Sequence, residues 1–370
     1  MEKVTWYHVN NSETIVSPSL LVYPDRIAQN IKIMLEIAGG AAFLRPHIKT
    51  HKIAEIITMQ LEYGIDKFKC ATIAEAELLA QTGAKDVLIA MQLTGPNQHR
   101  FFDLITAYPQ THFSTIIDNS KIGNEMATLA AKKKQAVSLW LDINNGMHRT
   151  GILPNTKAVE LYKEMAENAN IQMEGLHVYD GHIRNSDIAT RINVCNNAFE
   201  TITNLKKQLE AEGLQVKNIV AGGTPSFPVH AKRDGVQVSP GTSLLWDYRY
   251  GSLFPDLKFL HAAVLMTRVI SKPKNGHLCL DLGHKSVAPE MPLPRVQFLE
   301  NTDFEQVGQS EEHLVVTTKK SDDYEVGDVL YAIPYHICPT VAKYHEVTAI
   351  TANKSAEVWE VAARNNKITI

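Results

Sequence analysis

Over the first two thirds of the chain, short apolar runs alternate with longer stretches whose apolar residues recur at helical spacing. The runs lie at residues 44–47, 67–70, 87–90, 113–117, 138–143, 175–179, 218–221 and 236–239. Each is short enough and sufficiently rich in β-branched or aromatic residues to predict a strand. Between them the pattern predicts helices, and one is well marked. Thr72 and Glu75 have capping-box spacing, residues 74–81 are good helix formers, and Gly83 suits the position just past the end. Repeated strand–helix units predict a parallel sheet with right-handed crossovers. Eight strands within residues 24–248 predict a closed (β/α)8 TIM-type barrel. An open doubly wound sheet would call for a glycine-rich first turn, and the sequence has no GxGxxG.

From residue 249 the periodicity changes. Runs at 262–270, 277–282, 313–318, 328–333, 347–351 and 367–370 read as strands divided by turn residues, with no long helical period between them. The expected architecture is α/β, a barrel followed by a C-terminal all-β domain. The segment 1–23, with a strand candidate at 20–23, is surplus to the barrel and is assigned to the β domain. A chain of 370 residues fits two such domains.

Charge and cysteine content narrow the class. The formal net charge is −3, so no basic surface favours nucleic acid or an anionic membrane. No run approaches the length of a membrane span, and Met1 to Trp6 opens no signal-peptide h-region. The four cysteines are far apart and without a CxxC, which predicts reduced thiols in a cytoplasmic protein.

The barrel reading locates chemistry, because this fold builds its sites at the C-terminal strand ends. Those ends carry Lys49, Gln92, the 142–149 stretch with Arg149, then Tyr179-Asp180-Gly181-His182, and Gly222-Gly223-Thr224. Lys49 lies in Arg45-Pro46-His47-Ile48-Lys49-Thr50-His51-Lys52. On a strand end, His47, Lys49 and His51 would share a face, a setting suited to imine chemistry; a basic surface loop is the plain alternative. Gly222, Gly223 and Thr224 would let backbone N–H groups approach a phosphate, or form an ordinary turn. Lysine and phosphate cradle on one rim suggest pyridoxal phosphate. Arg149 could contact its ring substituents or phosphate, or make a rim ion pair; Tyr179 could stack on the ring, or fill the core. Late in the chain, His336 and Cys338 would share a face of an extended segment. They could bind a divalent metal in an open site, or be a buried thiol beside an ordinary histidine.

The Lys49 segment resembles the cofactor-lysine motif of the D-threonine aldolase/D-serine dehydratase family, fold-type III pyridoxal phosphate enzymes related in architecture to alanine racemase. His336-Ile337-Cys338-Pro339-Thr340 resembles the same family's metal motif. The resemblance implies that Lys49 is the Schiff-base lysine. It places Gly222, Gly223 and Thr224 at the phosphate and Tyr179 and Arg149 beside the cofactor. It gives His336 and Cys338 a divalent ion (Zn, Mn or Mg). It implies a homodimer acting on small D-amino acids, with retro-aldol cleavage of D-threonine-like substrates as the expected reaction and His182 as the candidate base. A carboxylate beside the metal-binding histidine goes with aldolases and a cysteine with dehydratases, so β-elimination from D-serine or D-3-hydroxyaspartate is the alternative. An amino-acid racemase and a non-catalytic pyridoxal phosphate carrier are further alternatives.

Overall fold

The computed structural model describes residues 5–300 and 303–370. The first four positions of the expected 1–23 segment, and positions 301–302 of the β domain, lie outside them. The described chain divides into two compact units. One comprises residues 34–49, 57–241 and 365–370. The other comprises residues 1–33, 50–56 and 242–364.

In the second unit, β1 (Ser19–Val22) pairs antiparallel with a later strand and parallel with another, so an N-terminal segment is built into the β-rich sheet. The first unit holds seven parallel strands: β2 (Lys67–Cys70), β3 (Asp86–Ile89), β4 (His112–Ile117), β5 (Val137–Asp142), β6 (Ile171–Val178), β7 (Asn218–Ala221) and β8 (Val236–Val238). They pair in sequence order. Helices connect successive strands, as right-handed crossovers require. The helix Ile73–Gln81 begins as expected. Thr72 Oγ1 accepts from the Glu75 N–H at 3.1 Å, and Gly83 leaves the helix at φ +94°.

The eighth expected strand, 44–47, is not a regular strand. It touches its neighbours only through parallel bridges, Leu44 to Val238 and His47 to Lys69. Pro46 has no N–H to give a ladder, but its carbonyl accepts from Lys69 N–H at 2.8 Å. Arg45 N–H donates to the Val238 carbonyl at 2.9 Å. The segment therefore fills the gap between β8 and β2, and it is a strap with few bonds. The barrel interior is packed. Arg45, 1% exposed, makes two 2.7 Å bonds to the Asp86 carboxylate at the start of β3, and the indole N–H of Trp140 donates to Ser114 Oγ at 2.9 Å. Leu88, Ile116, Trp140 and Val220 close around them.

The second unit is a sheet of β9 (Ala263–Ser271), β10 (His277–Leu280), β11 (Val296–Phe298), β12 (Glu305–Gln309), β13 (Leu314–Thr317), β14 (Val329–Pro334), β15 (Glu346–Thr351) and β16 (Lys354–Glu360) together with β1. Among the described residues of this sheet, only the β1–β15 pair is parallel. Its core gathers Tyr7, Val9, Leu21, Val264, Met266 and Tyr331. Three of these strands, β11, β12 and β16, have no counterpart among the expected runs; β12 and most of β16 are too polar to announce themselves. The expected strand at 367–370 is absent. The Thr369 N–H is taken by the Glu77 carboxylate instead, at 3.0 and 2.9 Å, so this segment belongs to the barrel unit.

Candidate active site

The C-terminal strand ends of the barrel surround a cavity of about 390 Å³. Lys49, Lys69, Gln92, Arg149, His177 and Tyr179 are on its wall. Lys49 does not sit on a strand end. Residues Ile48–Thr50 form a 3-10 turn, and the Lys49 N–H donates to His47 Nδ1 at 3.3 Å. The expected common face of His47, Lys49 and His51 is thereby lost. His51 is buried in a separate role: its Nδ1 accepts from the Ile53 N–H at 3.2 Å, and burial drives its pKa down to about 3. It is a neutral brace of the turn that follows the lysine.

Tyr179, half-buried at the end of β6, is ringed by cations. The Nζ atoms of Lys49 and Lys69 each stand 5.5 Å from its ring centroid, and Arg149 Cζ stands at 5.1 Å. Cations favour an aromatic face, which accounts for the gathering. Gly222 and Gly223 are buried, and Gly223 lies against the same tyrosine. Gly222 has φ +81°, and a Cβ there would meet His230 and Ser226 at 3.0 and 3.1 Å. A Cβ on Gly223 would meet Tyr179 Cε2 at 3.0 Å. Thr224 Oγ1 accepts from the Gly241 N–H at 3.0 Å. A buried network props this turn: Asp180 accepts from Ser226 Oγ at 2.6 Å and pairs with His230 Nε2 at 2.7 Å. Ser226 Oγ also accepts from the Gly223 N–H.

Sequence reasoning missed His177, and it placed Asp142 at a strand end without giving it a partner or a role. His177 Nδ1 lies 2.7 Å from Asp142 Oδ1, and both side chains are buried. Burial pulls the imidazole pKa below its ordinary value despite the carboxylate, whose own pKa is held low by His177 against the burial penalty. The pair is therefore neutral imidazole and carboxylate. The proton is on Nδ1, and Nε2 is a bare lone pair. That Nε2 is buried without a hydrogen-bond partner among the described residues, in a residue that lines the cavity. His182, the expected base, is not on the cavity wall. It is exposed, close to the backbone of Gly146 in the loop after β5. The alternation of β6 could have indicated the difference, since His177 and Tyr179 are two residues apart on one face. Lys69 was also overlooked: the run 67–70 reads only as a strand, with nothing to say which side its lysines face.

In the β-rich unit, His336 and Cys338 are brought together by a helix start. His336 caps the short helix Ile337–Val341, so the expected extended segment is corrected. Buried Asp247 accepts from the Ile337 N–H at 3.1 Å and fixes that turn. Thr340 Oγ1 donates to the His336 carbonyl at 2.8 Å and accepts from the Ala288 N–H at 3.2 Å. This ties down the 288–290 segment, whose Glu290 carboxylate bonds His336 Nδ1. Cys338 Sγ lies 3.3 Å from Thr50 Oγ1 and 3.6 Å from Thr242 Oγ1. Burial opposes charge on both members, yet the cysteine and Glu290 raise His336 to about 9, and His336 lowers the Cys338 thiol. An imidazole and an incipient thiolate are a suitable donor pair for a borderline or soft divalent ion.

A parallel barrel unit with a lysine pocket at its strand ends, in a chain that also carries a β-rich unit, defines the racemase-like barrel class. Residues 22–248 match the alanine racemase N-terminal domain, and the chain belongs to that family. Residues 262–350 match the putative serine dehydratase domain. The chain is similar to D-threonine aldolase of Arthrobacter sp, 24% identical over 94% of this chain and 92% of the relative. It is also similar to D-serine dehydratase of Dictyostelium discoideum, 26% identical over 92% and 94% of the two chains. The crystal structure of D-threonine aldolase from Filomicrobium marinum shares the fold, with a TM-score of 0.89 at 22% identity over 97% of this chain and 98% of that one.

Proposed function

We propose that this chain is a lyase using pyridoxal phosphate and a divalent metal, which cleaves D-threonine-like β-hydroxy-α-amino acids to glycine and an aldehyde. The observation that carries the reading is the barrel cavity, whose wall holds Lys49, Arg149, Tyr179 and His177 together. The buried glycines fit the cofactor as well, since a Cβ at either would crowd the turn.

Lys49 would hold the cofactor through its ε-amine, Gly222, Gly223 and Thr224 its phosphate, and Arg149 and Tyr179 its ring. When bound, the cofactor supplies an aldehyde for the substrate amine and a ring that draws negative charge away from Cα. His336 and Cys338 would hold the ion, which supplies Lewis acidity that lowers a hydroxyl pKa, as it lowers that of water from about 16 to about 7. Retro-aldol cleavage takes a proton from the β-hydroxyl, breaks Cα–Cβ and returns a proton to Cα. His177, held by Asp142 and with Nε2 unpartnered, accepts a proton in the place first given to His182. Lys49, once released, is the second group able to move a proton, at Cα. Asp142 orients His177 for its transfer, so that step costs little reorganisation.

Cys338 favours a second reading, β-elimination, because a thiolate stands where the aldolase pattern has a carboxylate. Relatives of both names match the chain over most of its length. The four free cysteines fit a cytoplasmic protein, and no helix among the described residues is long and apolar enough to cross a membrane. A homodimer completes the proposal. Incubation with D-threonine and D-serine, with acetaldehyde and pyruvate assayed, decides the reaction. Acetaldehyde from D-threonine is expected. Pyruvate from D-serine without acetaldehyde would replace cleavage by elimination. Loss of both in Lys49→Ala, with its visible absorption, ties either outcome to the lysine.

A further inference from the structure

One charged side chain on the cavity wall has no part in that chemistry. Lys69, the third residue of β2, is 2% exposed, and β2 holds it rigidly between β3 and the strap at 44–47. Lysine is almost never buried this far without a partner, because an unpaired ammonium out of water is costly. The surroundings of Lys69 make the cost larger. Lys49, Lys69 and Arg149 all face the Tyr179 ring, so three cationic groups share one wall. The two buried carboxylates whose charges act on Lys69 are already engaged: Asp142 with His177, and Asp180 with Ser226 and His230. Burial first, and the Lys49 charge second, pull the Lys69 amine down to about 7. The wall therefore holds more positive than negative charge, and a cavity of about 390 Å³ in front of it.

We infer that Lys69 binds an anionic oxygen inside the barrel cavity, supplied by the cofactor or by the substrate carboxylate. An oxyanion there pairs with the ammonium, offsets the crowding of like charges and accounts for a lysine this deep. The alternative of a second imine-forming amine would place another adduct beside Lys49 and leave the charge excess in place. The inference rests on the proposed function for the identity of the two anions, and it is independent of which bond the enzyme breaks.

Calorimetry on apoprotein tests it, with wild type, Lys69→Met and Lys69→Gln titrated separately with pyridoxal phosphate and with 3-hydroxypropionate, a carboxylate that carries a β-hydroxyl and no amine. Both substitutions remove a buried charge, and Lys69→Gln keeps polar reach if Lys69→Met folds poorly. At least tenfold weaker cofactor binding, with unchanged 3-hydroxypropionate binding, assigns Lys69 to a cofactor oxygen. The reverse assigns it to the substrate carboxylate. Both constants within twofold of wild type overturn the inference. Should wild type take up no pyridoxal phosphate, the proposed function falls, and the 3-hydroxypropionate titration alone decides Lys69.

Discussion

His177 and His336 each lean on an acidic partner, yet the protein drives them in opposite directions. The His177 side chain is 5% exposed and has one carboxylate beside it; burial wins, and the ring stays neutral. The His336 side chain is 33% exposed, and a thiol and two carboxylates outweigh the same penalty, so the ring is charged at neutral pH. A carboxylate contact alone therefore does not charge a histidine. The number of negative neighbours must exceed what desolvation takes away. The neutral ring is equipped to accept a proton. The charged one, next to a lowered thiol, is a donor set that releases its proton when a cation binds.

The largest test of this contrast is Asp142→Asn. The amide can present its N–H to His177 and reverse the tautomer, so Nε2 would no longer be a bare lone pair. Turnover should fall by about 10²-fold or more, while the fold persists by circular dichroism. Unchanged turnover would remove His177 from proton transfer. Next in size is Glu290→Ala, which deprives His336 of the acceptor that orients its ring. Metal affinity, followed by calorimetry, should drop roughly 10–100-fold. An unaltered affinity would mean that Glu290 is an ordinary surface carboxylate. The smallest effect is on stability against pH. As pH falls through 6.5, the ordinary value, the unfolded chain takes up a proton at His177 that the folded protein refuses. Stability must then fall with pH. Asp142, whose folded pKa lies below its ordinary 3.8, adds loss only in more acid solution. Melting curves from pH 7.5 to 4.5 should show a decline that is shallower in His177→Phe by on the order of 1 kcal/mol. Equal slopes would show that His177 is not the neutral ring described.

The sequence announced what repeats and what is local. β2 and β7 begin and end at the expected residues, and the Thr72 cap forms as spacing required. It misled where one residue changes the rule. Pro46 turns a full strand into a bridged strap, and the turn at Ile48–Thr50 separates imidazoles that a strand would align. Contacts between distant positions left no mark at all. Glu290 reaches His336 across 46 residues, and Asp247 reaches the same turn across 90. Lys69 went unremarked because nothing in a four-residue run says which side of β2 faces the interior, and there the residue is 2% exposed.

The Arg45–Asp86 bond, with Trp140 above it, has a consequence for traffic. It corks the barrel at the end opposite the cavity with a charge pair whose arginine is fully buried and whose carboxylate is a quarter exposed. Passage through this floor is closed by the pair, so exchange between the cavity and solvent has to go by way of the strand ends and loops that line it.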